Sequence, residues 1–160
     1  MTPYDNIYTR FLNKIDNDKD FFLYNNIPIV EAQEIGMKRC LGLLDEAIEE
    51  LKLECELGIN LDNRDNILTQ FNEDLVSSEE DLIANIMYKK YFEKDLVNLK
   101  VFKSWFKGSE MNQISPANER RTFLDMFNGI DLRTKKKIKE YEAKDRITGK
   151  YKGLEYDELW

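Results

Sequence analysis

Histidine is absent from this chain. That removes the commonest general base, the usual hydrolase triads and most zinc sites. A catalyst built from this sequence would have to work with carboxylates, lysine, tyrosine or cysteine alone. Cysteine is scarce: there are two, Cys40 and Cys55, and both fall in one predicted helix. Their spacing at about 1.5 Å per residue separates them by roughly 22 Å, whereas a disulfide needs Cα atoms within about 7 Å. Free thiols and a reducing compartment are therefore expected. No window approaches the roughly 18 apolar residues of a membrane span, so no membrane partner is expected. The opening MTPYDNIYTRF lacks the basic start and apolar run of a signal peptide. The expectation is a protein made and used in a cytoplasm, or carried in a particle assembled there.

Acidic loops are present but incomplete as metal sites. Asp16, Asp18 and Asp20 imitate the first ligands of an EF-hand, yet Phe21 stands where glycine is required and Ile27 where glutamate is required. Asn60, Asp62 and Asp65 fail in the same way. No metal and no cofactor are expected, and with no phosphate loop either, no enzyme.

The 160 residues are 42% hydrophobic and 34% charged, with a net charge of −7, enough to bury one soluble core. The charge is uneven. Residues 1–115 carry 13 Lys/Arg against 22 Asp/Glu, residues 116–152 carry 11 against 6, and residues 153–160 carry three acids and no base. An acidic body with a basic last helix is a poor nucleic-acid binder. It suits self-association, one surface of each copy meeting the opposite charge on the next.

Periodicity predicts an all-α bundle of about four helices. Tyr4, Ile7, Tyr8, Phe11, Leu12 and Ile15 make an amphipathic stripe over residues 3–15, with Thr2 as cap and Pro3 at the first helical position. Residues 21–24, Phe-Phe-Leu-Tyr, predict a short packed piece ended by Pro28. A second helix over 30–57, ended by Gly58, carries Ala32, Ile35, Cys40, Leu43, Leu44, Ala47, Ile48, Leu51 and Cys55 on its apolar side. The acids Asp45, Glu46, Glu49 and Glu50 lie on a face expected to be wet. A polar linker follows.

The most distinct element is the central helix within Phe71–Phe102. Ser77 and Glu80 have capping-box spacing, Glu79, Glu80 and Asp81 suit the helix dipole, and Leu82, Ile83, Ile86 and Met87 form a buried stripe. A bend is expected around residues 93–95. Trp105 and Phe106 are expected in the core, with exposed anchors as the alternative. The last helix, from Ser115-Pro116 to about Lys144, has Phe123, Phe127, Ile130, Thr134, Ile138 and Tyr141 in phase. Its phase survives Asn128-Gly129, although a break there, capped by Asp131, is the alternative.

Three surfaces are candidates for contacts. The basic helix carries Arg120, Arg121, Arg133, Lys135, Lys136, Lys137 and Lys139. An acidic surface, Glu73, Asp74, Glu79, Glu80 and Asp81, is expected to face a neighbour's basic helix. Residues 146–160, set apart from a helical domain at 1–145, carry Ile147, Tyr151, Leu154, Tyr156, Leu159 and Trp160. That is many apolar anchors for a disordered end, and an extended arm docking on a partner is expected.

MTPYDNIYTRFLNKI, FNEDLVSSEEDLIANIMYKKYF and SPANERRTFLDM occur in this order and spacing. Together they resemble the head–tail connector, or adaptor, proteins of tailed phages of Gram-positive bacteria, over roughly the first 140 residues. Tyr91 departs from that pattern, in which tryptophan is often found. The resemblance implies a virion structural protein of the neck, without catalysis. It implies a dodecameric ring beneath the portal that joins it to the next neck or tail protein, a stopper or tail terminator, while the genome DNA passes through unbound. The rival expectation is a monomeric phage-encoded helical regulatory module that binds a host protein.

Overall fold

The chain folds as a small helical bundle with one very small sheet. A computed structural model describes residues 1–15, 21, 27–105 and 116–153, and of residues 95–105 and 116–120 the backbone alone. In chain order the elements are β1 (Thr2–Pro3), α1 (Tyr4–Lys14), α2 (Ile29–Glu54), β2 (Arg64–Asp65), β3 (Gln70–Phe71), α3 (Ser77–Trp105) and α4 (Pro116–Glu142). Helix α3 is the hub, since α1, α2 and α4 all pack against it.

The apolar stripes explain the packing. Tyr4, Ile7, Phe11, Leu44, Ile48, Leu51, Ile83, Ile86 and Met87 are all fully buried. A fully buried side chain of this size contributes about 1.5–3 kcal/mol of transfer free energy. Tyr91 is buried within an edge-to-face cluster of Phe11, Phe21 and Phe92, its ring 6.2 Å, 5.8 Å and 5.4 Å from theirs. Of the expected packed piece at residues 21–24, Phe21 is buried, and residues 22–24 lie outside the described residues. Arg39 lies 4.5 Å from the Phe21 ring centroid and donates a hydrogen bond to the Phe21 carbonyl. Helix α4 shows a sparser buried row of Ile130, Thr134 and Ile138, with Phe123, Phe127 and Tyr141 half-buried.

Several local expectations are corrected. The polar linker is a β-hairpin: β2 pairs with β3, and β3 with β1, all antiparallel in the order β1-β3-β2. Strands of two residues carry no period-2 signal, which is why the sequence pattern passes over them. The hairpin turns at residues 65–70, where Asp65 Oδ1 accepts from the amides of Ile67 and Leu68 and Thr69 takes φ +50°.

Thr2 does not cap α1. It lies in β1, and its hydroxyl accepts from the amide of Leu75 just before α3. Helix α2 ends at Glu54 with Cys55 as its extended cap, four residues before Gly58. The capping box of α3 is shifted by one residue: Glu79 Oε2 accepts from the Val76 amide, while Ser77 and Glu80 both turn to Arg10. Helix α3 runs unbroken through residues 93–95. Helix α4 is likewise one helix through Asn128-Gly129. The Trp105 side chain, Phe106 and the Asp16–Asp20 loop lie outside the described residues.

Candidate interaction surfaces

The acidic start of α3 is turned inward. Glu79 and Glu80 are 1% and 7% exposed, so they are not the surface the sequence suggested. Glu79 Oε1 accepts from Tyr141 Oη and from Arg146 Nε, each at 2.6 Å, and its Oε2 accepts from Arg146 Nη2 at 3.2 Å and from the Val76 amide at 2.9 Å. Glu80 accepts from Asn6 at 3.0 Å and from Arg10 at 2.8 Å and 3.1 Å. Asp81 is paired with Lys14 at 3.1 Å and Lys137 at 2.7 Å. Burial pushes the Asp81 carboxyl up, but the two ammonium groups outweigh it and hold the group down at about 2. Asp74 stays on the surface and pairs with the N-terminal amine. Glu73 is half-buried, and Glu79, Glu80 and Asp81, expected to meet a neighbour's basic helix, meet α1, α4 and the segment after α4 of their own chain.

A second charged cluster joins three helices. Lys89 is 8% exposed and lies 2.7 Å from Glu50 on α2 and 2.6 Å from Asp131 on α4. Lys90 also pairs with Glu50, at 2.6 Å, and Lys94 with Glu46 at 2.7 Å. Burial raises the Glu50 carboxyl, and hydrogen bonds from Lys89 and Lys90 more than reverse it, so its pKa is lowered. The Asp131 carboxyl is lowered in the same way by Lys135 and Lys89 against its own desolvation. This part of the supposedly wet face of α2 is matched to α3. A sequence signal existed: Glu46 and Glu50 stand four residues apart, as do Lys90 and Lys94, which is the register two antiparallel helices need.

The basic helix divides by face. Lys137 is committed to Asp81, Lys135 to Asp131 at 2.8 Å, and Arg133 Nε donates to the Gly129 carbonyl. Lys136, 78% exposed, reaches Glu140 only at 3.9 Å. Arg121 and Lys139 are exposed, and the Arg120 side chain lies outside the described residues. Around this outer face sits Leu132, 67% exposed.

The C-terminal boundary drawn at 146 falls inside a closed turn. Asp145 and Lys150 are joined by a 2.7 Å backbone hydrogen bond, Lys144 bridges Tyr151, and Lys152 N donates to the Ala143 carbonyl. Gly149 takes φ +65° there, a conformation that favours glycine. Arg146 locks this turn to α3 through Glu79 and the Asp74 carbonyl. It therefore belongs to the body, a role that no local sequence pattern announces. Ile147 and Tyr151 project to solvent, 74% and 68% exposed. Leu154, Tyr156, Leu159 and Trp160 lie outside the described residues.

Between α2 and α3 runs an open groove of about 1050 Å³, lined by Asp45, Glu46, Glu49, Glu54 and Leu53 on the α2 side. Leu53 is 87% exposed. Among the described residues, no group of three or more histidine, cysteine, aspartate or glutamate side chains is placed to hold a metal ion. Both thiols are buried, and burial pushes Cys40 up to about 12 and Cys55 up to about 11, so neither is a thiolate at neutral pH. No helix among the described residues is long and apolar enough to cross a membrane. Comparison with protein-family models, curated proteins and solved structures returned no match.

Proposed function

We propose that this chain is a connector subunit in the neck of a tailed phage, forming a ring between the portal and the next neck or tail protein. The observation that carries the proposal is the ordered resemblance of three stretches spread over α1, the start of α3 and the start of α4. The bundle supports it in a specific way. Its described core is buried within one chain, while exposed apolar side chains sit on secondary structure or the anchored turn: Leu53 on α2, Leu132 on α4, and Ile147 and Tyr151 on the turn. A small subunit that must join several neighbours needs such anchors at separate places.

In this reading the turn at residues 144–152 docks on the portal or on an adjacent copy, and the chain beyond it extends that contact. The acidic excess of residues 1–115 suits a channel wall from which DNA is repelled and through which it slides. Assembly takes place in the host cytoplasm and the ring, a dodecamer by the resemblance, remains in the virion.

Light scattering and electron microscopy of the purified chain, alone and mixed with the portal encoded in the same genome, test the proposal. Rings, or rings formed on portal addition, are expected. A monomer indifferent to portal at all concentrations overturns it and favours the regulatory module.

A further inference from the structure

The surfaces left unsatisfied inside one copy are complementary to each other. The α2–α3 groove presents six carboxylates and three lysines. The lysines are already engaged, Lys89 and Lys90 with Glu50, Lys94 with Glu46. Glu49 is 66% exposed and its nearest cation, Lys52, is shared with Asp62. Glu54 is exposed beside it. The groove therefore keeps a negative excess around one exposed leucine, Leu53. The outer face of α4 has the opposite pattern. At 100° per residue, Arg121, Leu132, Lys136 and Lys139 share the side opposite the buried Thr134. That face presents one exposed leucine among cations with little internal engagement, and one exposed acid, Asp125, one turn beyond Arg121. Since it points away from the body, it cannot reach the groove of its own chain.

We infer that the α2–α3 groove receives the outer face of α4 from a second copy of this chain, Leu132 packing beside Leu53 with Lys136 and Lys139 against Glu49 and Glu54. The contact is head-to-tail. Each copy offers a different face on each side, an arrangement that closes into a ring when the rotation between copies divides a full turn and grows as a filament when it does not. Apolar burial at the two leucines supplies affinity, and the charges select register and partner. The inference rests on the ring reading but replaces the contact expected from the sequence. The acids at the start of α3 are used within the chain, as are Asp45, Glu46, Glu50 and Glu93 in the groove, and Glu49 and Glu54 are the ones left for a neighbour.

A paired charge reversal tests it. One variant carries Lys136→Glu and Lys139→Glu, the other Glu49→Lys and Glu54→Lys. Alone, each opposes like charges across the contact, and self-association measured by sedimentation velocity should weaken by about tenfold or more. Mixed in equal amounts, the two variants satisfy both kinds of contact by alternating. Assembly should return, in species with an even number of subunits.

Circular dichroism establishes that each variant is folded. If one is not, a second measurement decides: a Leu53→Cys/Leu132→Cys chain should cross-link into a ladder of oligomers under mild oxidation. Variants that assemble like the native chain, or a double-cysteine chain that stays monomeric while the native chain assembles, overturn the groove contact and leave the ring reading intact. A native chain that never associates, with or without portal, overturns both.

Discussion

Replacing Glu79 by glutamine changes no volume and removes one charge, yet it should be among the most damaging single substitutions in the bundle. All four groups around this carboxylate are donors: Tyr141 Oη and Arg146 Nε on one oxygen, Arg146 Nη2 and the Val76 amide on the other. A carboxylate accepts at both oxygens, whereas a glutamine must turn its NH2 group toward one of the two donor pairs. Either orientation opposes donors to donors, and the guanidinium of Arg146, 25% exposed, loses its counter-charge. Breaking a buried pair at one partner costs about 3–5 kcal/mol. The partial exposure of Arg146 reduces this to roughly 2–4 kcal/mol. For a chain of this size that is a fall in Tm of roughly 5–15 °C.

Calorimetry and urea titration read the effect. An Arg146→Met background should shrink the cost of Glu79→Gln by about 1 kcal/mol or more, because the two residues are coupled. A Glu79→Gln chain within about 0.5 kcal/mol of native, or costs that simply add in the double variant, would refute the view that this node clamps α4 and the following turn to α3.

Other outcomes follow from the same geometry. Asp81 is lowered to about 2 from its ordinary 3.8. Its contribution is thus complete above pH 3.8 and lost as pH falls toward 2. Discounted for a side chain 35% exposed, it is about 1 kcal/mol, and Asp81→Asn should flatten the acid limb of a stability–pH curve by that amount. Lys89→Met keeps the packing of the stem but leaves Glu50 and Asp131 with only Lys90 and Lys135, and should cost about 1–2 kcal/mol in urea unfolding; no change would mean that the three-helix cluster is neutral. Thr69 holds φ +50°, which a β-branched residue adopts at a cost. Thr69→Asn should raise stability by roughly 0.5–1 kcal/mol, and a loss would show that the hydroxyl matters more than the backbone.

The helices were legible because each has a long apolar period: the stripes from Tyr4 to Ile15 and from Leu82 to Met87 are buried as their spacing demands. The hairpin was not, because two-residue strands are set by tertiary pairing with β1 rather than by a local pattern. The acidic run at the start of α3 was visible as a helix start, but its partners Arg10, Lys14, Lys137 and Arg146 come from elements between 56 and 70 residues away. No local rule brings those together. The fate of Glu46 and Glu50 lay within reach, had their spacing been matched against that of Lys90 and Lys94.

The most direct test of the connector assignment is a cryo-EM reconstruction of the neck of the intact particle. The proposal predicts a ring of this bundle beneath the portal, with Ile147 and Tyr151 buried at an interface. A neck that accounts for all its density without this chain, or a ring in which both residues face open solvent, would contradict it.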